Sequence, residues 1–307
     1  MESEKCKHDY TIRVMTSADT PGALRVFASH GLFEANHSLD TYRLMDCNAF
    51  YVAIDDTNGA VIGVCGGPFL RPDMAFIGLY GVDERYAGRG IGQKLFAEVM
   101  THIGDRNVCL WSVADKLPLY RDRLGFGLVS EHRMVIYFGK DIKSLPLNTD
   151  NNNNIKLLPI GVGDQELIDR VIDYDQQIQG YRRQELLGLS LREPGCVALV
   201  AIHTVTDQVV GYGCVREHSS GATTLSPVYG NGMLIARQLM EGLVRDSEWC
   251  QRNGFYYYTV DTNRSAIELA GLLALERHED CRLLFRKAVV GVDYHRIYSI
   301  LSPNFSL

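Results

Sequence analysis

The chain carries one layout twice. "YVAIDDTNGAVIGVCGG" (51–67) and "LVAIHTVTDQVVGYGCV" (199–215) each read as an apolar strand ending in Val-Ala-Ile, a polar turn and a second strand. Ala53, Ile54, Val61 and Gly63 recur as Ala201, Ile202, Val209 and Gly211, every one 148 positions later. At the same offset "MAFIGLYGV" (74–82) meets "ATTLSPVYG" (222–230), and "VCLWSV" (108–113) meets "YYYTVD" (256–261). The helical stretch "IGQKLFAEVMTHI" (91–103) falls close to "MLIARQLMEGLV" (233–244). Four elements in one order at nearly one spacing indicate a duplicated domain, and 307 residues suit two domains. "LPLNTDNNNNIKLLP" (145–159) has linker composition, with four consecutive asparagines between periodic segments. The expected division is a first domain at 1–144, a linker at 145–154 and a second domain at 155–307.

Charge and cysteine usage narrow the class. A net charge of −6 argues against nucleic-acid and anionic-membrane partners. No apolar run approaches the ~18 residues of a membrane span, and "MESEKCKHDY" has no apolar leader region. A soluble, cytoplasmic protein, monomer or homodimer, is the expectation. The eight cysteines never form C-x-x-C and mostly sit in apolar runs, which disfavours a metal site or a disulfide framework.

Within the first half, Thr11–Thr16 reads as a strand, Ala18–His30 as a helix, and a polar helical stretch runs to Asp46. Asn58-Gly59 joins strands Phe50–Asp55 and Ala60–Phe69 as a hairpin. A strand at Met74–Val82 leads to a glycine turn and a helix whose apolar face is Ile91, Leu95, Phe96, Val99 and Ile103. A strand at Val108–Val113, a helix at Leu117–Arg123 and paired strands at Phe126–Val129 and Arg133–Phe138 follow. Antiparallel strands first and a strand–helix–strand crossover second make the sheet mixed.

"YAGRGIGQKL" (86–95) carries the chemistry. Gly88, Gly90 and Gly92 precede or open a helix, whose first amides lack intrahelical acceptors and bear partial positive charge. Arg85 and Arg89 add cationic donors. The motif is not a P-loop, since Gln93-Lys94 stands where Lys-Ser/Thr is required. Nor is G-x-G-x-G after a hairpin sheet the dinucleotide fingerprint. A coenzyme A diphosphate site after the fourth strand of an acetyltransferase sheet is the third possibility.

"LYGVDERYAGRGIGQKLF" resembles motif A of the GNAT acetyltransferase superfamily, and "LPLYRDRLGF" (117–126) resembles its motif B. The resemblance spans the first half and implies an α/β (α+β) fold: two tandem GNAT-fold domains, each a mixed, mostly antiparallel twisted sheet flanked by helices. It implies acetyl-CoA, or another acyl-CoA, as cosubstrate. Leu79, Gly81 and Val82 would then flank pantetheine, and Ala87, Gly88, Arg89, Gly90, Ile91 and Gly92 the diphosphate. Ala87 stands where the family most often has Gln or Arg, so weakened rather than abolished affinity is expected.

A tyrosine that protonates the departing thiolate fits the chemistry, because thiol and phenol acidities are close. Tyr120 is that candidate. It precedes Gly125 by five residues where the family usually has four, and one extra helical residue turns a side chain by about 100°. Arg121 would take the expected direction unless a bulge absorbs the insertion. A backbone N–H near Leu79–Gly81 would hold the carbonyl oxygen. The general base is open among Tyr80, Asp83, Glu84 and solvent, and Trp111 flanks the cleft.

At the offset positions of Gly88, Gly90 and Gly92 the second half has Ala236, Gln238 and Met240, and Glu268 replaces Tyr120. Its "YDQQIQGYRRQELL" (174–187) and "LSPVY" resemble the degenerate C-terminal half of the YitH/HolE-like tandem acetyltransferases. That resemblance implies acceptor-side roles for Asp175, Arg182, Arg183 and Asp261. The expected activity is acyl transfer to the primary amine of a small molecule. Protein N-acetylation and a silent acyl-CoA sensor or scaffold are the alternatives.

Overall fold

The computed structural model describes residues 10–140 and 154–307, so the linker at 145–154 lies outside it except for Asn154. The first half runs β1 (Tyr10–Val14), α1 (Thr20–Ala28), α2 (Ser38–Met45), β2 (Phe50–Asp55), β3 (Val61–Gly66), β4 (Phe69–Arg71), β5 (Met74–Phe76), β6 (Gly78–Val82), α3 (Ile91–Ile103), β7 (Asn107–Val113) and β8 (Leu128–Gly139). The second runs β9 (Ile155–Pro159), α4 (Gln165–Gln179), α5 (Gln184–Ser190), β10 (Val197–His203), β11 (Gln208–Glu217), β12 (Thr223–Gly230), α6 (Met233–Asp246), α7 (Glu248–Asn253), β13 (Phe255–Val260), α8 (Arg264–Leu272), β14 (Glu276–Phe285) and β15 (Ile297–Ser299).

Local chemistry sets the frame. At the β2–β3 hairpin the Thr57 amide and hydroxyl both donate to Asp55, and Gly59 takes the left-handed φ of 71° that the turn needs. The buried residues of α3 are Ile91, Leu95, Phe96, Val99 and Ile103, the periodic face read from sequence. They lie against β3. Residues 126–138 depart from expectation. They are not two strands paired to each other. Leu128–Gly139 is one strand whose partners both come from the second half.

That strand is half of an exchange. One sheet has the order β1-β2-β3-β6, and the other runs β4-β5-β7-β14-β8-β13-β12-β11-β10-β9, with β15 on β12. β14 of the second half lies between β7 and β8 of the first, while β8 lies between β14 and β13. Each half is completed by a strand of the other, β14 in the first and β8 in the second. Separating them would break antiparallel ladders along the whole of β8, so the cleft between the halves has walls fixed by backbone hydrogen bonds. The first-half core accordingly includes Leu283, Leu284 and Phe285 of β14, and Leu301, Phe305 and Leu307 beyond β15.

The repeat is unequal at one place. Eight residues (83–90) separate β6 from α3, but only two (231–232) separate β12 from α6. Counted from the helix caps, the partner of Gly90 is therefore Gly232, and Gly88 falls in the stretch the second half lacks, while Ala236 and Gln238 lie inside α6. Helix α7 then restores the 148-residue offset by β13.

Candidate functional site

β5 pairs in parallel with β7 over Met74–Phe76, and the Ile77 amide donates to the Cys109 carbonyl at 2.9 Å. Beyond that point the chain shifts to the other sheet, and β6 pairs only with β3. The two strands splay. A cavity of about 710 Å³ fills the opening and extends to the second half.

The splay is held open by a bulge. Val64 faces Gly81 and Gly66 faces Gly78, so Cys65 alone opposes Leu79 and Tyr80. Leu79 adopts a φ of 51°, a left-handed conformation unfavourable for leucine, in a residue that is buried and lines the cavity. Leu79 and Tyr80 are thus left without one-to-one register partners on β3. The outer end is pinned by His30, whose Nε2–H donates to the Val82 carbonyl at 2.8 Å. This backbone gap fits an extended arm lying as an added strand.

The glycine turn follows at the end of β6. Gly88 and Gly90 have φ of 76° and 77°, with nothing within 4 Å of where a side chain would stand. Gly90 caps α3, so the first amides of a 13-residue helix open onto free space there. Ala87 is extended, Ile91 is a buried first residue of the helix, and Arg89 is exposed with its guanidinium 5.0 Å from the Tyr86 ring. Tyr86 donates to Asp55, tying the turn to the hairpin. Two readings change. Gly92 lies within the helix and makes room for the Tyr80 hydroxyl, 2.8 Å from where a Cβ would sit. Arg85 forms a bidentate pair with Asp83, and neither Asp83 nor Glu84 lines the cavity.

Tyr120 does line it. Residues Leu119–Arg123 form a π-turn, with the Leu124 amide reaching back five residues to Leu119. The wider turn absorbs the extra residue of motif B. Tyr120 keeps its inward direction, edge-on to Phe126 at 6.1 Å between centroids, while Arg121 stays outside, paired with Asp122. Burial, with Cys65 and Tyr80 adding, raises the Tyr120 phenol well above its ordinary value, so it stands protonated at neutral pH. Burial likewise pushes Tyr80 up to about 12.

Leu79, Tyr80, Gly81, Val82, Trp111 and Tyr120 are thus brought to one cavity. The acceptor-side candidates of the second half are not. Arg182 is a surface residue bonded to Asp173 and Gln184. Asp261 closes the β8–β13 ladder by accepting from the Arg133 amide and guanidinium. Asp175 and Arg183 are sealed in the second core, where Arg183 donates twice to Asp175 at 2.7 Å and Tyr212 and Tyr229 complete the network. Burial forces these charges to pair, and a pair so satisfied has little left for a ligand.

The second half reaches the cavity elsewhere. His218, Tyr256, Tyr258, Glu279 and Asn304 line it, none of them anticipated. The signal was the alternating "YYYTV" of the strand that repeats the one bearing Trp111. Burial, then nearby Arg216, lowers His218 to about 3. Burial, with Asp115 and Asp280, raises Glu279 above its ordinary value. Trp111 Nε1–H donates to the Ser306 carbonyl at 2.9 Å, fastening the segment after β15 to the first half.

In the second half the equivalent splay is closed. β12 and β13 pair over two residues only, and β15 then enters between them. Val228 faces Ser299, and the Ile300 amide donates to the Tyr258 carbonyl at 2.9 Å. The chain's own strand occupies the gap. Glu268 is an exposed residue of α8.

Among the described residues no group of three or more His, Cys, Asp or Glu is arranged to hold a metal ion. No helix is long and apolar enough to cross a membrane. No curated protein matches the chain. Two family models do: the Acetyltransferase (GNAT) family over residues 18–126, and an Acetyltransferase (GNAT) domain over residues 171–299. An assigned acetyltransferase from Pyrococcus horikoshii has a similar structure, with a TM-score of 0.71 and 18% identity, covering 99% of this chain and 98% of that one. A GCN5-related N-acetyltransferase from Sphaerobacter thermophilus gives a TM-score of 0.61 at 14% identity, covering 92% and 97%. A tandem GNAT protein from the clavulanic acid biosynthesis pathway gives 0.61 at 14%, covering 92% and 99%. At such identities these likenesses speak for the fold. The chain is a tandem GNAT protein, two acetyltransferase domains of the GNAT family carried on one polypeptide and joined through an exchanged pair of strands.

Proposed function

We propose that the chain is an acyl-CoA-dependent N-acyltransferase that uses the first half, residues 1–144, to hold acetyl-CoA and passes the acetyl group to the primary amine of a small molecule. The observation that carries this is the splay between β6 and β7, open in the first half and filled by β15 in the second. Acetyl-CoA supplies the acyl group as an activated thioester. Gly88, Gly90 and the first amides of α3 hold its diphosphate, with the exposed guanidinium of Arg89 beside them. Leu79, Gly81 and Val82 flank the arm, and an amide of the β6 bulge donates to the thioester oxygen.

Tyr120 gives its proton to the sulfur as the carbon–sulfur bond breaks. It has a proton to give at neutral pH, but the same burial widens its gap from the thiol, so the role rests on its place in the cavity and not on matched acidity. The ammonium first gives one proton to solvent, and the free amine loses a second as its nitrogen bonds to the acyl carbon. Glu279 takes it, as a carboxylate on the cavity wall whose acidity constant is raised above the ordinary value. The second half, residues 155–307, serves as the acceptor wall.

Thiol release from acetyl-CoA over an amine panel tests the proposal. Tyr120→Phe is expected to slow transfer by about 10²-fold while leaving coenzyme affinity unchanged. Unaltered turnover would return Tyr120 to a packing role, and heat on acetyl-CoA binding with no turnover on any amine would exclude the enzyme.

A further inference from the structure

The second-half wall of the cavity is built of rings. Tyr256 and Tyr258, two apart on β13, project to one face with ring planes 2° apart and centroids separated by 6.2 Å. The His218 ring is 4.9 Å from Tyr256, and Phe33 of the first half is 5.8 Å from His218. The hydrogen-bonding atoms at this surface are largely spent on one another. His218 uses Nε2 on the Tyr258 hydroxyl at 3.1 Å and Nδ1 on Ser220 at 2.8 Å. His218 and Tyr258 are themselves nearly sealed, so the ring left for a ligand is that of half-buried Tyr256, a match for a flat apolar group.

Charge at the same cavity favours a cation. Lys116 is the only lysine or arginine among the described residues that line it, and its ammonium lies 3.0 Å from Asp115. Glu279 lines it as well, so carboxylates outnumber these cations.

Asn304 supplies the polar contact. Its side chain donates to the Phe33 carbonyl at 3.1 Å and to Glu34 at 2.9 Å. A backbone carbonyl only accepts, so the group facing Phe33 must be the NH₂ end. Both amide hydrogens are then engaged, and Oδ1 is left as the acceptor. Asn304 lines the cavity, and its backbone lies against Gly78 at the start of β6, where the splay begins.

We infer that the acceptor is a primary amine carried on an aromatic group, its ring against Tyr256, which Tyr258 and His218 back, and its nitrogen donating to Asn304 Oδ1. This rests on the acyl-transfer reading above and narrows it to a substrate class. Asn304 is a positioning residue and the rings set specificity.

The test compares tryptamine and phenethylamine with n-hexylamine and glucosamine at saturating acetyl-CoA. It also measures tryptamine binding by calorimetry with coenzyme A present. The aromatic amines are expected to show kcat/KM about tenfold higher or more. Tyr256→Leu should bring the tryptamine-to-hexylamine ratio close to one, whereas Tyr256→Phe preserves it. Asn304→Leu should raise KM for both amines without changing acetyl-CoA affinity. Turnover of hexylamine or glucosamine equal to or above that of tryptamine overturns the inference and leaves acyl transfer standing. Absence of turnover on all four amines, with acetyl-CoA still bound, removes the acyl-transfer reading itself.

Discussion

Gly90 offers a test that separates charge from shape. It caps α3 at a φ of 77° with open space where a side chain would project. Asparagine and aspartate are close to isosteric, and both tolerate the left-handed region better than other residues with a Cβ. Gly90→Asn and Gly90→Asp therefore share one strain cost of about 1 kcal/mol. For a chain of this size that lowers Tm by no more than a few degrees. The variants differ by one negative charge beside the proposed diphosphate. At ~4 Å each charge pair is worth about 1 kcal/mol in bulk-water dielectric and about 4 kcal/mol at an effective dielectric constant of 20. For two phosphate charges at an exposed turn, roughly 2–4 kcal/mol is a fair range, or about 30- to 700-fold in Kd. Calorimetric titration of acetyl-CoA into both variants reads this directly. Raising the salt concentration should narrow the gap between them, because the repulsion is screened. Equal Kd values for the two variants, each folded, would refute the placement of the diphosphate at this turn.

Three further outcomes follow from other groups. Glu279 acts deprotonated and its carboxyl is raised, so kcat/KM should climb with pH through a midpoint above the ordinary glutamate value, and Glu279→Gln should remove that limb. His218 is held at about 3 when folded against about 6.5 when unfolded, so the unfolded chain binds the extra proton between those values. Stability should therefore fall with decreasing pH by up to about 1.4 kcal/mol per unit from this residue, and His218→Gln should flatten the pH dependence of the urea midpoint by one proton's worth. Glu193 and Arg216 form a buried pair at 3.3 Å, and Glu193→Gln leaves a charge uncompensated; urea unfolding should show a loss of about 3–5 kcal/mol.

How far the residues announced this arrangement depends on the range of the interaction concerned. The helix face of α3, the Asn58-Gly59 hairpin and the positive-φ glycines are consequences of neighbours a few positions away, and periodicity and turn chemistry expose them. The bulge at Leu79 arises from a register between β3 and β6, which no local pattern encodes. Tyr120 shows the limit from another side: counting residues predicts a rotated side chain, but a π-turn restores its direction because burying the ring beside Phe126 outweighs one irregular hydrogen bond. Asp175 and Arg183 misled for a related reason. Their roles are implied by a resemblance carried in a mostly polar stretch, 174–187, and whether such charges are already paired is decided by tertiary contacts. Residues 126–138 were divided in two because their partners, β13 and β14, lie more than 100 positions away.

The inequality of the two halves has a physical logic. A splayed pair of strands leaves backbone donors and acceptors on its inner edges without partners, and burying them so carries a penalty. In the first half those edges face a cavity that an extended ligand can enter. In the second half the glycine turn is six residues shorter, which takes away the loop that would grip an anion at the mouth. An open splay there would keep its cost without a ligand to offset it. β15 supplies the missing edges, with Ser299 accepting from the Tyr258 amide at 3.0 Å through its hydroxyl. Having filled that gap, the chain continues across the cleft: the Leu301 carbonyl is held by Arg216 at 2.6 Å, and Asn304 reaches the start of β6. Closing one slot thus delivers a polar side chain to the other, which makes the second half part of the wall of the first half's cavity.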